Sequence, residues 1–249
     1  DVIIHLAAVA NDPTGELDPQ LTWEINALAT AQLAARAAAE GVKHFIYASS
    51  GSVYGVSEAL DVAEDAPLVP LSEYNKSKAV AERVVLSYAD KMAVQILRPA
   101  TVCGVSPRMR LDVMVNSLTM QALTNGLMKF NGGNQYRPNV HIDDMVGAYL
   151  WFLDRPLFTG IYNVGFENLQ IKKIAYLVGQ KVNARSQAMP TNDKRSYRIN
   201  SSKLLATGFR PKKTIVDAIS EIVEKFNAGQ LKDTDECYNL RVMKNSVLA

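Results

Sequence analysis

Short apolar runs alternate with helix-patterned segments along this chain, and that alternation leaves few folds open. The runs 2–8 (Val2-Ile3-Ile4-His5-Leu6-Ala7-Ala8), 42–48, 93–98 and 160–165 each read as a strand. Between them lie helix-patterned stretches. One covers 19–40, with Leu21, Ile25 and Leu28 at helical spacing and Gly41 in the C-cap place. Another covers 72–90, with Ala81, Val84, Val85 and Tyr88 on its apolar face, and a third covers 112–125. Strand and helix in series predict a parallel sheet covered on both faces. The first run is expected to be a buried strand, 9–18 and 49–71 loops, and 132–134 a turn. Residues 140–142 read as a short extended piece, after which Asp143 or Asp144 is expected to cap a helix ending near Asp154. Helices are also expected over 171–180 and 214–228, joined by a polar loop, with a peripheral tail after Gly229.

A chain of 249 residues has room for one large domain, or a large and a small one. With 48% apolar and 21% charged residues it has an ordinary globular composition, and a net charge of +2 gives no nucleic-acid glove or basic membrane surface. No apolar run approaches the roughly 18–20 residues of a membrane span. Cys103 and Cys237 make no disulfide framework, so a reducing compartment, the cytoplasm, is expected. Asp1 leads directly into a strand with no initiator Met and no signal sequence, and a further segment is expected upstream.

Tyr74-Asn75-Lys76-Ser77-Lys78 opens the second helical stretch. Side chains four apart share a helix face, so Tyr74 and Lys78 can address one point. A free tyrosine ionises at about pH 10, and a neighbouring ammonium favours the phenolate. Such a pair suits hydride transfer, where a phenol gives or takes a hydroxyl proton while hydride moves to or from a nicotinamide. By itself the pair is also the pattern of a plain surface helix. Ser49-Ser50-Gly51-Ser52-Val53-Tyr54-Gly55 follows a strand-like run. Ligands of open α/β sheets bind beyond the carboxyl ends of strands, where small hydroxyl residues can meet a substrate oxygen. The same composition also makes an ordinary Ser/Gly loop.

Taken together and in order, these segments resemble the extended short-chain dehydrogenase/reductase family, the nucleotide-sugar epimerases and dehydratases, in its UDP-glucose 4-epimerase-like form. His5-Leu6-Ala7-Ala8 is similar to the family's cofactor-lining strand, and Asn26 to its active-site asparagine. Ser50, ahead of Val53-Tyr54-Gly55, is similar to its catalytic Ser/Thr, and Tyr74 and Lys78 to its Tyr and Lys. The segment 98–104 (Arg98-Pro99-Ala100-Thr101-Val102-Cys103-Gly104) is similar to the family's strand beside the nicotinamide. Arg137, ahead of Val140-His141-Ile142-Asp143-Asp144, is similar to the arginine that grips the substrate pyrophosphate, and Tyr162-Asn163-Val164-Gly165 to a late strand.

The resemblance implies an α/β fold: a doubly wound, Rossmann-type parallel sheet lacking its first strands, with a smaller α/β substrate-binding part. Residues 1–103 and 139–167 would form the dinucleotide-binding domain, and 104–138 and 168–249 the substrate-binding part. The implied catalytic set is Ser50, Tyr74, Lys78 and Asn26. Tyr74 is the acid/base in that set, and Lys78 lowers its pKa and binds ribose. Leu6, Ala7, Ala8, Ser49, Tyr74, Lys78, Pro99, Ala100 and Val102 would line the cofactor. Ser50, Ser52, Thr101, Asn116 and Arg137 would meet the substrate, the arginine fork suiting phosphate oxygens. No metal is implied. The implied cofactor is NAD, with NADP left open, and the implied partner is a nucleoside-diphosphate sugar rather than a nucleic acid or a membrane. The reaction is epimerisation through a transient 4-keto sugar or, alternatively, reduction of a 4-keto sugar. A non-catalytic binding protein on the same fold is the third reading, and the intact trio argues against it. A non-nucleotide substrate would leave Arg137 nothing to bind. The Ala-rich first helix and the Tyr74 helix are expected to pair in a homodimer.

The sequence departs from the family pattern at several points. It contains no Gly-x-x-Gly-x-x-Gly cofactor loop, so the chain as written is expected to bind cofactor poorly. Gly51-Ser52 stands where the 4,6-dehydratase branch carries Asp-Glu, so dehydration is not expected. Thr101 stands where many relatives carry a substrate-binding Asn. Cys103 replaces an aromatic residue and reads as packing. His5 and His141 read as packed, structural histidines, and Asp143 and Asp144 as caps rather than a metal pair. The 195–198 loop (Arg195-Ser196-Tyr197-Arg198) either reaches the nucleotide or stays on the solvated surface.

Overall fold

A computed structural model describes residues 1–56, 59, 61–192 and 196–247. Its strands are β1 (Val2–His5), β2 (His44–Ala48), β3 (Ala93–Pro99), β4 (Thr101–Cys103), β5 (Leu127–Asn131), β6 (Tyr136–His141), β7 (Gly160–Val164), β8 (Glu167–Gln170) and β9 (Arg185–Met189). The helices are α1 (Asp12–Leu17), α2 (Pro19–Trp23), α3 (Ala29–Ala39), α4 (Glu73–Leu86), α5 (Met114–Asn125), α6 (Ile142–Leu153), α7 (Ile171–Val182), α8 (Ser202–Ala206), α9 (Ile215–Asn227) and α10 (Asn239–Val247).

The main sheet runs β1-β2-β3-β7, all parallel. Parallel strands with both faces covered are apolar throughout, and β2 is buried from His44 to Tyr47. Phe45 and Tyr47 pack with Ala34, Ala37, Ala81 and Val85 of α3 and α4, whose small side chains let the helices lie close to the strands. Ile46 and Leu97 pack instead with Met145, Ala148 and Phe152 of α6. A second sheet runs in the order β4-β6-β8, and β5 and β9 form a separate pair. A second core is drawn from α5, α7 and α9, through Val115, Leu118, Ile174, Val178, Ala218 and Ile219. No described helix is long and apolar enough to cross a membrane.

Several expectations are corrected. Among the described residues the first run pairs with β2 alone, and Val2, Ile4 and Leu6 are exposed rather than buried. The loop expected at 9–18 contains α1, capped by the Asn11 side chain. The single helix expected over 19–40 is interrupted by a π turn, Glu24–Leu28, that buries Asn26. Asp143 and Asp144 do not cap α6; the His141 ring does, accepting from the Asp143 N–H. Asp144 instead accepts the Lys212 and Lys213 N–H groups and ties α6 to the segment leading into α9. β5, β8 and β9 were not expected. β9 is exposed along its whole length and carries no alternating apolar signal.

Candidate active site

Beyond the carboxyl ends of β1, β2 and β3, and facing β4 and the start of α5, lies a cavity of about 830 Å³. Leu6, Ser50, Ser52, Tyr74, Pro99, Ala100, Thr101, Val102, Asn116 and Arg137 all line it. Ten expected residues drawn from segments far apart in sequence are thus brought to one place.

The reactive wall is assembled by two caps. Ser50 caps the 3-10 turn Gly51–Tyr54 that leaves β2, and its hydroxyl accepts the Ser52 N–H. Ser72 caps α4 and accepts the Asn75 N–H, while its own hydroxyl donates to Asp12 of α1 at 2.7 Å. Tyr74 therefore sits in the first turn of a helix held at its start. Gly15 of α1 lies directly on it; a Cβ there would fall 2.8 Å from the Tyr74 Cβ. The hydroxyl of Ser52 donates to Asn75 Oδ1, and Ser50 and Ser52 share a hydrogen bond at 2.7 Å. Since the Ser52 proton is directed at Asn75, Ser50 donates to Ser52.

Burial is the largest influence on the Tyr74 phenol and holds it above the ordinary tyrosine range. Nearby Ser50 acts the other way, Asp12 raises it further, and Arg110 lowers it. Lys78 lies beneath the cavity wall rather than on it, 2% exposed. Its Nζ donates to Ala48 O at 2.9 Å and stands 4.9 Å from the centre of the Tyr47 ring. Burial pushes its ammonium down to about 8, against the pull of Glu82. The Lys78 head group thus meets a strand-end carbonyl beneath the wall that Tyr74 lines.

Other expected residues hold the frame instead of touching the cavity. Asn26 is fully buried; it accepts the Val9 N–H and donates to Val9 O and Ser77, joining the loop after β1 to α4. Ser49 donates to Glu82 in the core. Ala7 and Ala8 lie past the end of β1 but do not line the cavity. Asn116 lines it, yet its side chain is engaged with Gly104 N, Gly104 O and Arg110 O. Cys103 is buried, its thiol pushed up to about 12, as packing requires. His5 is bonded to Thr30. His141 Nδ1 accepts a backbone N–H, so Nε2 carries the proton and donates to Glu221, which also takes Lys213. That leaves the His141, Asp143 and Glu221 group without a free imidazole lone pair for a metal. Tyr197 reaches the cavity, whereas Arg195 lies outside the described residues.

Sequence reasoning missed the residues around Asn11, Asp12, Arg110 and Asp112, which also line the cavity. Asn11 has φ 79° and ψ 157°, a conformation that non-glycine residues rarely adopt and that persists only where the surroundings impose it. Here its Oδ1 caps α1 and its Nδ2 donates to Asp112 at 3.2 Å. Asn11-Asp12-Pro13 ahead of a helix start was the available signal, and it reads equally well as a loop.

Residues 1–165 match the NAD dependent epimerase/dehydratase family. The chain is 30% identical over 188 residues to a putative UDP-arabinose 4-epimerase of Arabidopsis thaliana, an alignment covering 66% of this chain and 43% of that protein. It is 30% identical over 240 residues to a dTDP-D-glucose 4,6-dehydratase of Bos taurus, covering 90% of this chain and 67% of the relative. Among solved structures, a UDP-glucose 4-epimerase of Thermus thermophilus in complex with NAD superposes with a TM-score of 0.79 at 26% identity, covering 89% of this chain and 76% of that one. The chain thus spans less than half the length of the Arabidopsis epimerase it matches. With a Rossmann-type parallel sheet and a Ser-Tyr-Lys set at its carboxyl ends, this chain belongs to the NAD-dependent epimerase/dehydratase family of nucleotide-sugar enzymes.

Proposed function

We propose that the protein is a nucleotide-sugar 4-epimerase that works through a transient 4-keto sugar with NAD as cofactor. The observation that carries this reading is that Ser50 and Tyr74 line one cavity that also presents Arg137. The similarity to UDP-sugar 4-epimerases supports it.

The nicotinamide-ribose end of NAD fits the residues present. Lys78 is a buried ammonium whose partner at hydrogen-bond distance is one carbonyl, so it keeps N–H donors for a ribose diol. Exposed Leu6 and the 99–102 backbone give an apolar bed beside it. Bound there, NAD would supply a reversible hydride acceptor for the sugar carbon. Tyr74 accepts the proton of the C4 hydroxyl as that C–H bond breaks, and gives it back when the carbonyl is reduced. Ser50 holds the reacting oxygen in line with the phenol. Arg137 is assigned to the pyrophosphate. Residues 104–138 and 168–249 are assigned to substrate binding, and 1–103 and 139–167 to the cofactor. Gly51 and Ser52 put no carboxylic acid where a departing C6 hydroxyl would need one, which favours epimerisation over dehydration. Exposed Leu28 near the start of α3 and Val80 of α4 offer an apolar face for a homodimer.

The test is turnover of UDP-, dTDP-, GDP- and CDP-sugars by the purified protein, with Tyr74→Phe as control. Epimerised product, lowered roughly a hundredfold to ten-thousandfold by Tyr74→Phe in a folded variant, is the expected result. Net consumption of NAD(P)H on a 4-keto sugar would replace this reading with a reductase. An accumulating dehydrated product would replace it with a dehydratase.

A further inference from the structure

The start of α4, which carries Tyr74, is held from outside by α1 at three successive residues. The Ser72 hydroxyl donates to Asp12 Oδ1 at 2.7 Å. The Glu73 N–H donates to Glu16 Oε1 at 2.9 Å. Gly15 lies against Tyr74 itself, where an added Cβ would come within 2.8 Å of the Tyr74 Cβ and 3.2 Å of its backbone nitrogen. α1 is in turn tied down at its own start. Asn11 Oδ1 accepts the Thr14 N–H at 3.0 Å, and Asn11 Nδ2 donates to Asp112 at 3.2 Å. The same Asp112 oxygen accepts the Asn239 N–H at 2.9 Å, and the other accepts Arg110 Nε at 2.9 Å. Of these contacts, the Asp12–Ser72 bond governs the cap of α4. A serine hydroxyl has one proton and two lone pairs. Giving its proton to Asp12 fixes the Ser72 rotor with a lone pair toward the Asn75 N–H, which it accepts at 3.1 Å. Without that acceptor the hydroxyl turns freely and the cap loosens.

We propose that Asp12 is a positioning residue of the reaction: by holding the Ser72 cap it sets where Tyr74 stands in the cavity relative to Ser50. This rests on the epimerase reading, in which Tyr74 is the acid/base. The capped turn carries both halves of the reactive wall. Tyr74 is in it, and so is Asn75, whose Oδ1 accepts the Ser52 hydroxyl that is in turn bonded to Ser50 at 2.7 Å. A shift of that one turn therefore moves the phenol and the serine pair together. A phenol displaced by even about 1 Å from the sugar hydroxyl loses rate steeply, because proton transfer needs the donor and acceptor in line. Asp12 also lines the cavity, so the rival account is a direct substrate contact.

The experiment compares Asp12→Ala and Asp12→Asn in the intact protein by kcat and KM for a UDP-sugar, and by the fluorine NMR spectrum of a fluorotyrosine placed at position 74. Asn offers Ser72 an acceptor oxygen and Ala offers none. Both remove the Asp12 charge, which raises the Tyr74 phenol, so kcat is read on the pH plateau where that shift has no effect. Asp12→Ala is expected to lower kcat by about tenfold to a hundredfold with KM changed less than about twofold, and to move or split the fluorine resonance. Asp12→Asn is expected to bring both back toward the parent. Ser72→Ala breaks the same bond from its other end and is expected to show the same fall, with no further loss in the double variant. A raised KM with parental kcat and an unmoved resonance in Asp12→Ala would overturn the proposal and leave Asp12 a substrate contact. Equal losses in the Asn and Ala variants, or a parental kcat in Ser72→Ala, would overturn it as well. If no nucleotide sugar is turned over, the epimerase reading fails on its own, and the fluorine spectra still decide whether Asp12 holds Tyr74 in place.

Discussion

Two cations are buried on or beside the main sheet, and they are treated in opposite ways. Arg98 of β3 is paired completely. Glu82 of α4 takes its Nε at 2.9 Å and its Nη2 at 2.7 Å, while Tyr54 and the Glu64 carbonyl accept from Nη1 at 2.8 and 3.0 Å. Burial opposes its charge, but these partners prevail and raise its pKa. Lys78, one turn before Glu82 on the same helix, has a single carbonyl acceptor, and burial pushes it down to about 8. The difference separates two uses of a buried charge. A fully paired one fixes the architecture. An under-partnered one stores binding capacity for a ligand.

The sharpest way to break this comparison is to remove one partner of Arg98. Glu82→Gln leaves a buried guanidinium without its countercharge and should lower stability by about 3–5 kcal/mol, read as the urea-unfolding midpoint at constant slope. A loss below about 1 kcal/mol would mean that the pair is not the fixed element described here.

Lys78→Met should do the opposite. The fall from 10.5 to about 8 corresponds to roughly 3 kcal/mol of unfavourable burial when the group is charged. The unfolded chain holds that proton up to its ordinary range, whereas the folded protein releases it near pH 8. Stability of the parent should therefore rise with pH across that window, below the point where tyrosines begin to ionise. Lys78→Met should be the more stable protein at neutral pH and should lose this rise, while turnover disappears. Denaturant melts at about pH 7 and about pH 9.5 measure both effects. A destabilised Met variant would show that the ammonium is better satisfied than its one carbonyl suggests.

The smallest effect sharpens the contrast. Ser49 donates to Glu82 from outside the ion pair. Ser49→Ala should cost only about 1 kcal/mol and leave turnover of a nucleotide sugar close to parental, because Ser49 serves the Arg98 network and not the cavity. A large loss of turnover with unchanged stability would return Ser49 to the cofactor site, where the family resemblance had placed it.

The sequence by itself determined the layered α/β order, because continuous apolar runs and period-3.6 apolar patterns report burial directly, as at 44–48 and 73–86. It also determined the reactive wall. Ser50 and Tyr74 are each set by a local cap, and caps are written in short stretches of chain. Where the pattern was weak or absent, reading failed. β9 is exposed on both faces, α1 is one short helix begun by an Asn in an uncommon conformation, and the α6 cap is a histidine rather than the aspartate beside it. Only the tertiary structure decided how Tyr74 is held. Asp12 and Ser72 are 60 positions apart in the chain, and the start of α1 is kept in place by Asp112, bonded to Asn11 on one side and Asn239 on the other. Local propensity carries no information about such a junction, because each bond in it depends on where distant segments pack. The same reason separates Lys78 from Arg98: both are cations in an apolar setting, and only packing settles which one finds its carboxylate.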